Sequence, residues 1–245
     1  IRSPGGTISL TSYNLSKYAA ALLRADNTSR TPDPAGGAGL VLVGSNSRLD
    51  VSGSIVDDRI ELAGDVLHPI AIKGGSVSLI GYDVQLQQGA VIDASGGVYA
   101  SSAGGMTYGD GGSIKIEAGN DPGFASLLGG RLLLGADLRG YSGAAGGSLS
   151  IKAPLIQIGG HGADPDTLLL QPSFFNQGGF SQFHLTGIGR PAAGTAAASV
   201  VQSFDPAIYV APGTTIAPYS ESLTYDARIN GATSDSLQRT VKPLG

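Results

Sequence analysis

The sequence has no cysteine and few charged side chains. Small secreted domains depend on disulfides, so a chain of 245 residues without cysteine must depend on a continuous hydrophobic core instead. The absence of cysteine also suits a protein that crosses a membrane unfolded. Charged residues make up 14% of the chain, against about 25% in a typical domain. This composition is unusual for a globular enzyme of the same size.

The charge that is present argues against a nucleic-acid partner. The net charge is -4, and the 15 lysines and arginines are scattered singly, so no basic stripe can meet a phosphate backbone. No apolar run reaches the ~18 residues of a membrane helix. Residues 1–6 have neither a charged segment nor an apolar segment of the kind that forms a signal peptide. We therefore expect a chain that is not membrane-spanning and that begins inside a longer protein.

Common catalytic motifs are also missing. The sequence contains no Gly-x-Ser-x-Gly, His-Glu-x-x-His or Gly-x-x-x-x-Gly-Lys segment. Its three histidines, His68, His161 and His184, are far apart. Residues 187–192 match the Gly-x-Gly-x-x-Ala pattern of a dinucleotide loop, but the second strand and acidic residue that this loop requires do not follow. The sequence predicts no catalytic residue, no cofactor site and no metal site.

Glycine, in contrast, is abundant, with 39 residues. Two glycines and a small residue repeatedly precede an alternation of apolar and polar residues, which is the pattern of a strand with one buried face. We expect the glycines to form the turn before each strand. The copies start at residues 5, 36, 74, 111, 146 and 178, so their spacing drifts between 31 and 38 residues. A repeat of this length is typical of a solenoid.

A second segment recurs within the repeat, at residues 49–53, 92–96 and 136–140. Each copy has the order apolar, Asp, apolar, small or polar, Gly, so two strand-turn units per repeat predict a β-solenoid. The three aspartates are Asp50, Asp93 and Asp137. They could form a carboxylate ladder that binds Ca²⁺ or acts on an acidic polysaccharide. Alternatively, and more commonly, each side chain caps its own turn by accepting backbone N–H hydrogen bonds.

The repeats divide the chain into two parts. Residues 1–190 are predicted to form the solenoid, and residues 191–245 a less regular continuation rich in Ala, Thr and Pro. An insertion at about 12–35 contains an Ala/Leu-rich stretch that favours a short helix, with Ser16 as its N-cap. Two Gly/Ser/Ala-rich segments, 99–112 and 119–129, are expected to bulge as side loops. Four phenylalanines between residues 174 and 183 are expected to stack along the solenoid.

Several segments together resemble the repeat body of filamentous haemagglutinin-like exoproteins, which are large proteins of Gram-negative bacteria exported by two-partner secretion. The resemblance is carried by residues 89–97, 111–116, 146–160 and 171–176, and it covers roughly residues 1–190. It implies a right-handed parallel β-helix with an adhesin role and no catalytic residues. The family engages its outer-membrane transporter through Asn-Pro-Asn-Gly-Ile and Asn-Arg motifs, and neither is present in this segment.

The sequence therefore predicts an all-β fold, a right-handed parallel β-helix with side loops and a short helical insertion. The expected function is a non-enzymatic shaft segment of a large bacterial adhesin, secreted or associated with the outer membrane at the cell surface. Its expected partners are host or bacterial surface glycans or proteins, contacted through side loops such as 99–112. Two alternatives remain open, a polysaccharide-degrading β-helix enzyme and the stalk of a contact-dependent toxin-delivery exoprotein.

Overall fold

The computed structural model describes residues 1–25, 34–58, 71–162, 164–189, 206–225 and 237–243, with only the backbone at 23–25, 220 and 237–243. Over these ranges the fold is mainly β, with one α-helix, α1 (Lys17–Ala25), and one 3₁₀ helix (Pro172–Asn176). The described strands are β1 Thr7–Thr11, β2 Leu40–Val43, β3 Arg48–Asp50, β4 Ile55–Asp57, β5 Ser76–Ile80, β6 Asp83–Leu86, β7 Val91–Asp93, β8 Val98–Ala100, β9 Met106–Tyr108, β10 Ser113–Glu117, β11 Leu132–Leu134, β12 Asp137–Arg139, β13 Gly147–Ala153, β14 Leu155–Ile158, β15 Thr167–Leu170, β16 Phe180–Gly187, β17 Ile208–Val210, β18 Tyr219–Tyr225 and β19 Leu237–Pro243.

Five of these strands form one parallel sheet, which we call the main sheet, in the order β1-β5-β10-β13-β16. The first four strands pair without a register shift, so Thr7, Ser76, Ser113 and Ser148 lie side by side. Between β13 and β16 the register slips by one residue at Gly147/Ser148. The recurring Gly-Gly segment thus marks the same position in successive repeats.

The two strands that follow each early main-sheet strand belong to two further parallel sheets, ordered β11-β6-β2 and β12-β7-β3. Each of the first three repeats therefore contributes one strand to each of three sheets, and equivalent strands of successive repeats pair with one another. In the fourth repeat, β14 pairs with both β15 and β17. The parallel sheets and the repeat agree with the mainly-β fold predicted from the sequence.

One of the six predicted copies is not equivalent to the others. Strand β2, which follows Gly36 and Gly37, pairs with β6 in the second sheet, not with β1 or β5. The first main-sheet interval is therefore 69 residues, from Thr7 to Ser76. Local alternation of apolar and polar residues cannot distinguish the sheets, because strands of all three sheets alternate in the same way.

The three central glycine pairs, at residues 74–75, 111–112 and 146–147, do not have the role expected from the sequence. Gly75 and Gly112 do not have positive φ, so no left-handed turn requires them. Instead, a Cβ on Gly75 would overlap the carbonyl oxygen of Gly6, and a Cβ on Gly112 would overlap that of Gly75. A Cβ on Gly147 would lie 2.6 Å from the carbonyl oxygen of Gly112. The glycines are needed because the backbones of successive repeats approach too closely for a side chain.

The hydrophobic core lies between the three sheets. Alternate residues of the main sheet, such as Val77, Ile114 and Leu149, are buried and face buried residues of the other two sheets. Apolar area removed from water in this way contributes about 25 cal/mol per Å². The core is continuous across the repeats and contains Val41, Val43, Leu49, Leu79, Val84, Leu86, Ile92, Ile116, Ile151, Ile156 and Leu170.

The short helix predicted in the insertion is present as α1. The Ser16 hydroxyl accepts a hydrogen bond from the Ala19 N–H at 3.0 Å, which is the predicted N-cap interaction. Segment 119–129 does not simply bulge outward, because its fully buried Asp121 holds the start of the insertion. The Asp121 carboxylate accepts the N–H groups of Asn14 at 2.5 Å and Leu15 at 3.1 Å.

Segment 99–112 is a hairpin, not a free loop. Strand β9 pairs antiparallel with β8, and β8 pairs in parallel with β4. Strand β18 contacts the same small sheet, since the Tyr225 hydroxyl donates to Asp57 at 2.8 Å and the Tyr108 hydroxyl accepts the Tyr225 N–H at 3.1 Å. The loop expected to be free for binding is therefore reduced to the tip of the hairpin, residues 101–105.

The four phenylalanines form one cluster, as expected. Phe175 and Phe183 have ring centroids 5.2 Å apart, and Phe180 and Phe183 6.0 Å apart, both with T-shaped geometry. Such pairs stabilise a core beyond the area they bury. No helix in the described ranges is long and apolar enough to cross a membrane.

The stacked glycines lead to a stability prediction. We expect Gly112→Ala to lower the free energy of unfolding by about 1–3 kcal/mol, the usual cost of overpacking, because its Cβ would overlap the Gly75 carbonyl oxygen. The control is Gly36→Ala, because nothing lies within 4 Å of a Cβ there. Urea unfolding of both variants measures the difference. Equal effects at the two positions would contradict the stacking explanation.

Candidate functional site

The solvent-facing side of the main sheet is a grid of polar side chains, which we call the polar face. Alternate residues of each strand point outward, and the register aligns them in columns that run across the repeats. The first column consists of Thr7, Ser76, Ser113, Ser148 and Gln182, the second of Ser9, Ser78, Lys115, Ser150 and His184, and the third of Thr11, Ile80, Glu117, Lys152 and Thr186.

A shallow groove of about 520 Å³ runs beside the first column. We call it the glycine groove, because its floor is the backbone of the glycine pairs, with the first column forming one wall. Five strands at ~4.8 Å spacing give it a length of roughly 19 Å. The groove exists because the stacked glycines, which cannot carry side chains, leave a recess next to the serine and threonine side chains.

The glycine groove is nearly neutral. The carboxylate that lines it, Asp110, lies 3.4 Å from the ammonium of Lys73, and both groups are exposed. In the neighbouring columns Lys115 pairs with Glu117 at 2.8 Å. The first column itself offers hydroxyl groups, of which Thr7 and Ser76 hydrogen-bond to each other at 3.0 Å. This surface suits an extended, uncharged polar ligand with many hydrogen-bonding groups.

Two of the three recurring aspartates lie together in the third sheet. Asp50 and Asp93 are side by side and both are buried. One oxygen of each accepts a hydrogen bond from the N–H two residues further on, from Ser52 at 3.1 Å and from Ser95 at 3.1 Å. These bonds confirm the turn-capping role for both residues.

The other oxygens of these carboxylates bind arginine. Arg48 lies between them and donates to Asp50 at 3.1 Å and to Asp93 at 2.9 Å. Arg2 is 3.8 Å from Asp50 on one side, and Arg139 is 4.0 Å from Asp93 on the other. The result is an alternation of arginine and aspartate across three repeats, which we call the Arg/Asp ladder.

The third aspartate does not belong to a column of carboxylates. Asp137 pairs in register with Val91, and Arg139 lies beside Asp93. Asp137 is exposed and accepts a hydrogen bond from its neighbour Arg139 at 2.8 Å. Alignment of the recurring segments places Asp137 beside Asp93. In the structure, Arg139, two residues further on, is the residue that pairs with Asp93. With arginines on these carboxylates, and no cluster of three or more metal-ligating side chains among the described residues, a calcium ladder has no support.

The remaining sequence candidates are dispersed. His161 lies in an exposed turn and His184 on the polar face, whereas His68 lies outside the described residues. Gly187 ends strand β16, and residues 190–192 of the dinucleotide-like pattern also lie outside them. The glycine groove was missed, although the alignment of the Gly-Gly pairs was a signal for it. The pairs were interpreted as turns, and that interpretation does not predict that the glycines of successive repeats stack on one another.

The pKa of Asp50 connects the Arg/Asp ladder to acid stability. Burial acts to raise this pKa, but the hydrogen bonds from Ser52 and the nearby Arg48 guanidinium outweigh it and hold the pKa below its usual value. A carboxyl group with a lowered pKa stabilises the fold above its unfolded-state pKa of ~3.9 and loses that contribution as the pH falls through its folded-state pKa.

We therefore expect Asp50→Asn to unfold at a lower urea concentration than the wild type at pH 7, with the difference shrinking below about pH 4. The matched control is Asp110→Asn, because Asp110 is exposed and makes only long contacts, 3.4 Å to the Lys73 ammonium and 3.4 Å to the Ala145 N–H. Urea midpoints measured between pH 7 and pH 3 test this. A difference for Asp50→Asn that does not change with pH would mean that the ladder charge contributes nothing.

Comparison of the chain with protein-family models, with curated proteins and with solved structures finds no match.

Proposed function

We propose that this chain is a shaft segment of a large bacterial adhesin of the filamentous haemagglutinin-like type, built as a right-handed parallel β-helix. The observation that carries the proposal is the stacking of equivalent strands of successive repeats in three parallel sheets. Parallel strands joined by crossover connections are right-handed in about 98% of cases, which supports the handedness. In this proposal the protein is secreted or held at the outer surface of a Gram-negative cell.

The proposed mechanism is mechanical display. Parallel pairing from repeat to repeat and a continuous core favour a stiff body, and each repeat adds about one strand spacing of ~4.8 Å to its length. A body of this kind holds a surface away from the cell without a catalytic step. The nearly neutral polar face suits a surface that must stay soluble while it presents hydrogen-bonding groups.

The glycine groove is the proposed contact surface. Its hydroxyl column and its roughly 19 Å length suit a linear, uncharged polysaccharide of a host or bacterial surface, whose hydroxyl groups could pair with successive repeats. The hairpin at 99–112 is a weaker candidate, because Tyr108 is engaged with Tyr225. Repetition of one weak contact along the groove would raise the overall affinity through multivalency.

A polysaccharide-degrading function receives less support from this site. Glycoside hydrolysis commonly requires two carboxyl groups about 5–10 Å apart across the bond. The glycine groove is lined by one carboxylate, Asp110, and Lys73 is paired with it. The buried carboxylates of the Arg/Asp ladder are engaged by arginine and do not line the groove. Retention of a glycan without cleavage is the expected behaviour.

A glycan array combined with a polysaccharide-cleavage assay tests the proposal. We expect the purified chain to retain neutral linear glycans, with or without Ca²⁺, and to release no products. Ser113→Tyr should weaken retention at least tenfold, because Ser113 lines the glycine groove and the larger ring would obstruct it. The matched control is Ser150→Tyr in the second column, which should retain the glycan as the wild type does.

Three results would contradict this proposal. Release of products would make the protein an enzyme and direct attention to Asp110. Retention that Ser113→Tyr and Ser150→Tyr reduce equally would move the contact surface away from the glycine groove. If the chain retains no neutral glycan, uncharged polysaccharides are not its partners.

A further inference from the structure

A second cavity interrupts the core between the third and fourth repeats. It has a volume of about 290 Å³ and is more enclosed than the glycine groove. We call it the inter-repeat cleft. Its inner walls are apolar and include side chains of the main core, whereas polar side chains stand at its mouth. The apolar walls are Leu134, Ala136, Leu138, Leu149, Leu168, Leu169, Leu170, Phe174 and Phe180, and the polar side chains are Asp137, Gln171 and Gln177.

The cleft lies where the stacking of strands is interrupted. Strand β11 pairs with β6 on one side and ends its sheet on the other, and β15 likewise ends the sheet β15-β14-β17. Cα atoms of β11 and β15 approach within 8 Å, but among the described strands the two are not paired. The cleft therefore lies between the edges of β11 and β15. In the earlier repeats, the equivalent strands β2, β6 and β11 are joined by hydrogen bonds.

The lining decides what the cleft can hold. Leu138, Leu168 and Phe180 line the cleft and are at most 7% exposed, so they form its apolar floor. An apolar cavity of about 150 Å³ is already large enough for a benzene ring. Ligand sites usually measure about 300–1,000 Å³, so the inter-repeat cleft suits a small ligand, not a polymer.

We propose that the inter-repeat cleft binds one small apolar molecule, an alkyl chain or single aromatic ring, with any polar end directed to the mouth. An apolar ligand in the cleft would cover the exposed parts of its leucine and phenylalanine walls, and removing that apolar area from water favours binding. The mouth carries the exposed amides of Gln171 and Gln177, which can face a hydroxyl group and water together. This inference is independent of the function proposed for the glycine groove.

The test uses 1-octanol as the probe, added to the whole chain with its leucine methyl groups isotopically labelled for NMR. We expect saturable shifts of the methyl signals of Leu134, Leu168 and Leu170, which line the cleft. The signals of Leu79 and Leu86, which lie in the core away from the cleft, should not move. Glycerol, a polar comparison of smaller size, should cause no saturable shift.

Ala136→Leu is the variant that fills the cleft, because Ala136 lines it and is packed against the core. We expect it to weaken octanol binding at least tenfold. The matched control is Ala103→Leu, the same change at an exposed position in the turn of the β8–β9 hairpin, which should bind as the wild type does. If Ala136→Leu does not fold, Leu169→Ser replaces it, with an expected loss of several-fold from a more polar wall.

Three results would overturn the inference. Octanol that gives no saturable shift would mean that the cleft closes or stays empty. Shifts that spread equally to Leu79 and Leu86 would indicate general solvation of the core. Binding that remains unchanged in Ala136→Leu, or in Leu169→Ser where that variant is used, would place the octanol elsewhere on the protein.

Discussion

The close approach of backbone to backbone at the glycine pairs is the constraint on which the rest of the structure depends. The carbonyl oxygen of Gly75 accepts the N–H of Ser113 at 3.0 Å and leaves no room for a Cβ at Gly112. The carbonyl oxygen of Gly112 accepts the N–H of Ser148 in the same way. Because side chains alternate with a period of two, one fixed backbone contact per repeat determines which residues point inward along the whole strand. The core, the polar face and the glycine groove all follow from that register.

The Arg/Asp ladder depends on the same stacking of successive repeats, but in the third sheet. Burying a carboxylate costs free energy unless hydrogen bonds and an opposite charge accompany it. Asp50 and Asp93 have both. Asp50 shares its strand with Arg48, whereas Asp93 receives the same arginine from the neighbouring repeat. The ladder therefore depends on correct stacking and penalises a shifted register. A chain with so few charged residues uses several of them at this one place, which favours a structural role over a solvating one.

Local patterns in the sequence were sufficient to predict where strands form, but not which strands pair with one another. The alternation after each glycine pair predicted β5, β10 and β13, and the Ala/Leu-rich stretch predicted α1. The same alternation could not reveal that β2 belongs to another sheet, since partner choice depends on the length of the intervening insertion. It aligned Asp137 with Asp93, whereas pairing puts Arg139 there. The glycine groove was hidden for a related reason, because a recess formed by absent side chains leaves no chemical motif.

The last copy of the repeat explains where the regularity ends. Gly178 and Gly179 have φ of 76° and 71°, unlike Gly111 and Gly112. In this copy the Gly-Gly pair does form a left-handed turn. The turn brings the ring of Phe180 over Gly140, where a Cβ would lie 2.5 Å from the ring. An aromatic side chain takes up more of the space between repeats than the aliphatic residues of earlier copies, and the register slips at this step. Phe180 also lines the inter-repeat cleft. The cleft therefore lies where the repeats stop stacking in the same register and make room for this larger side chain.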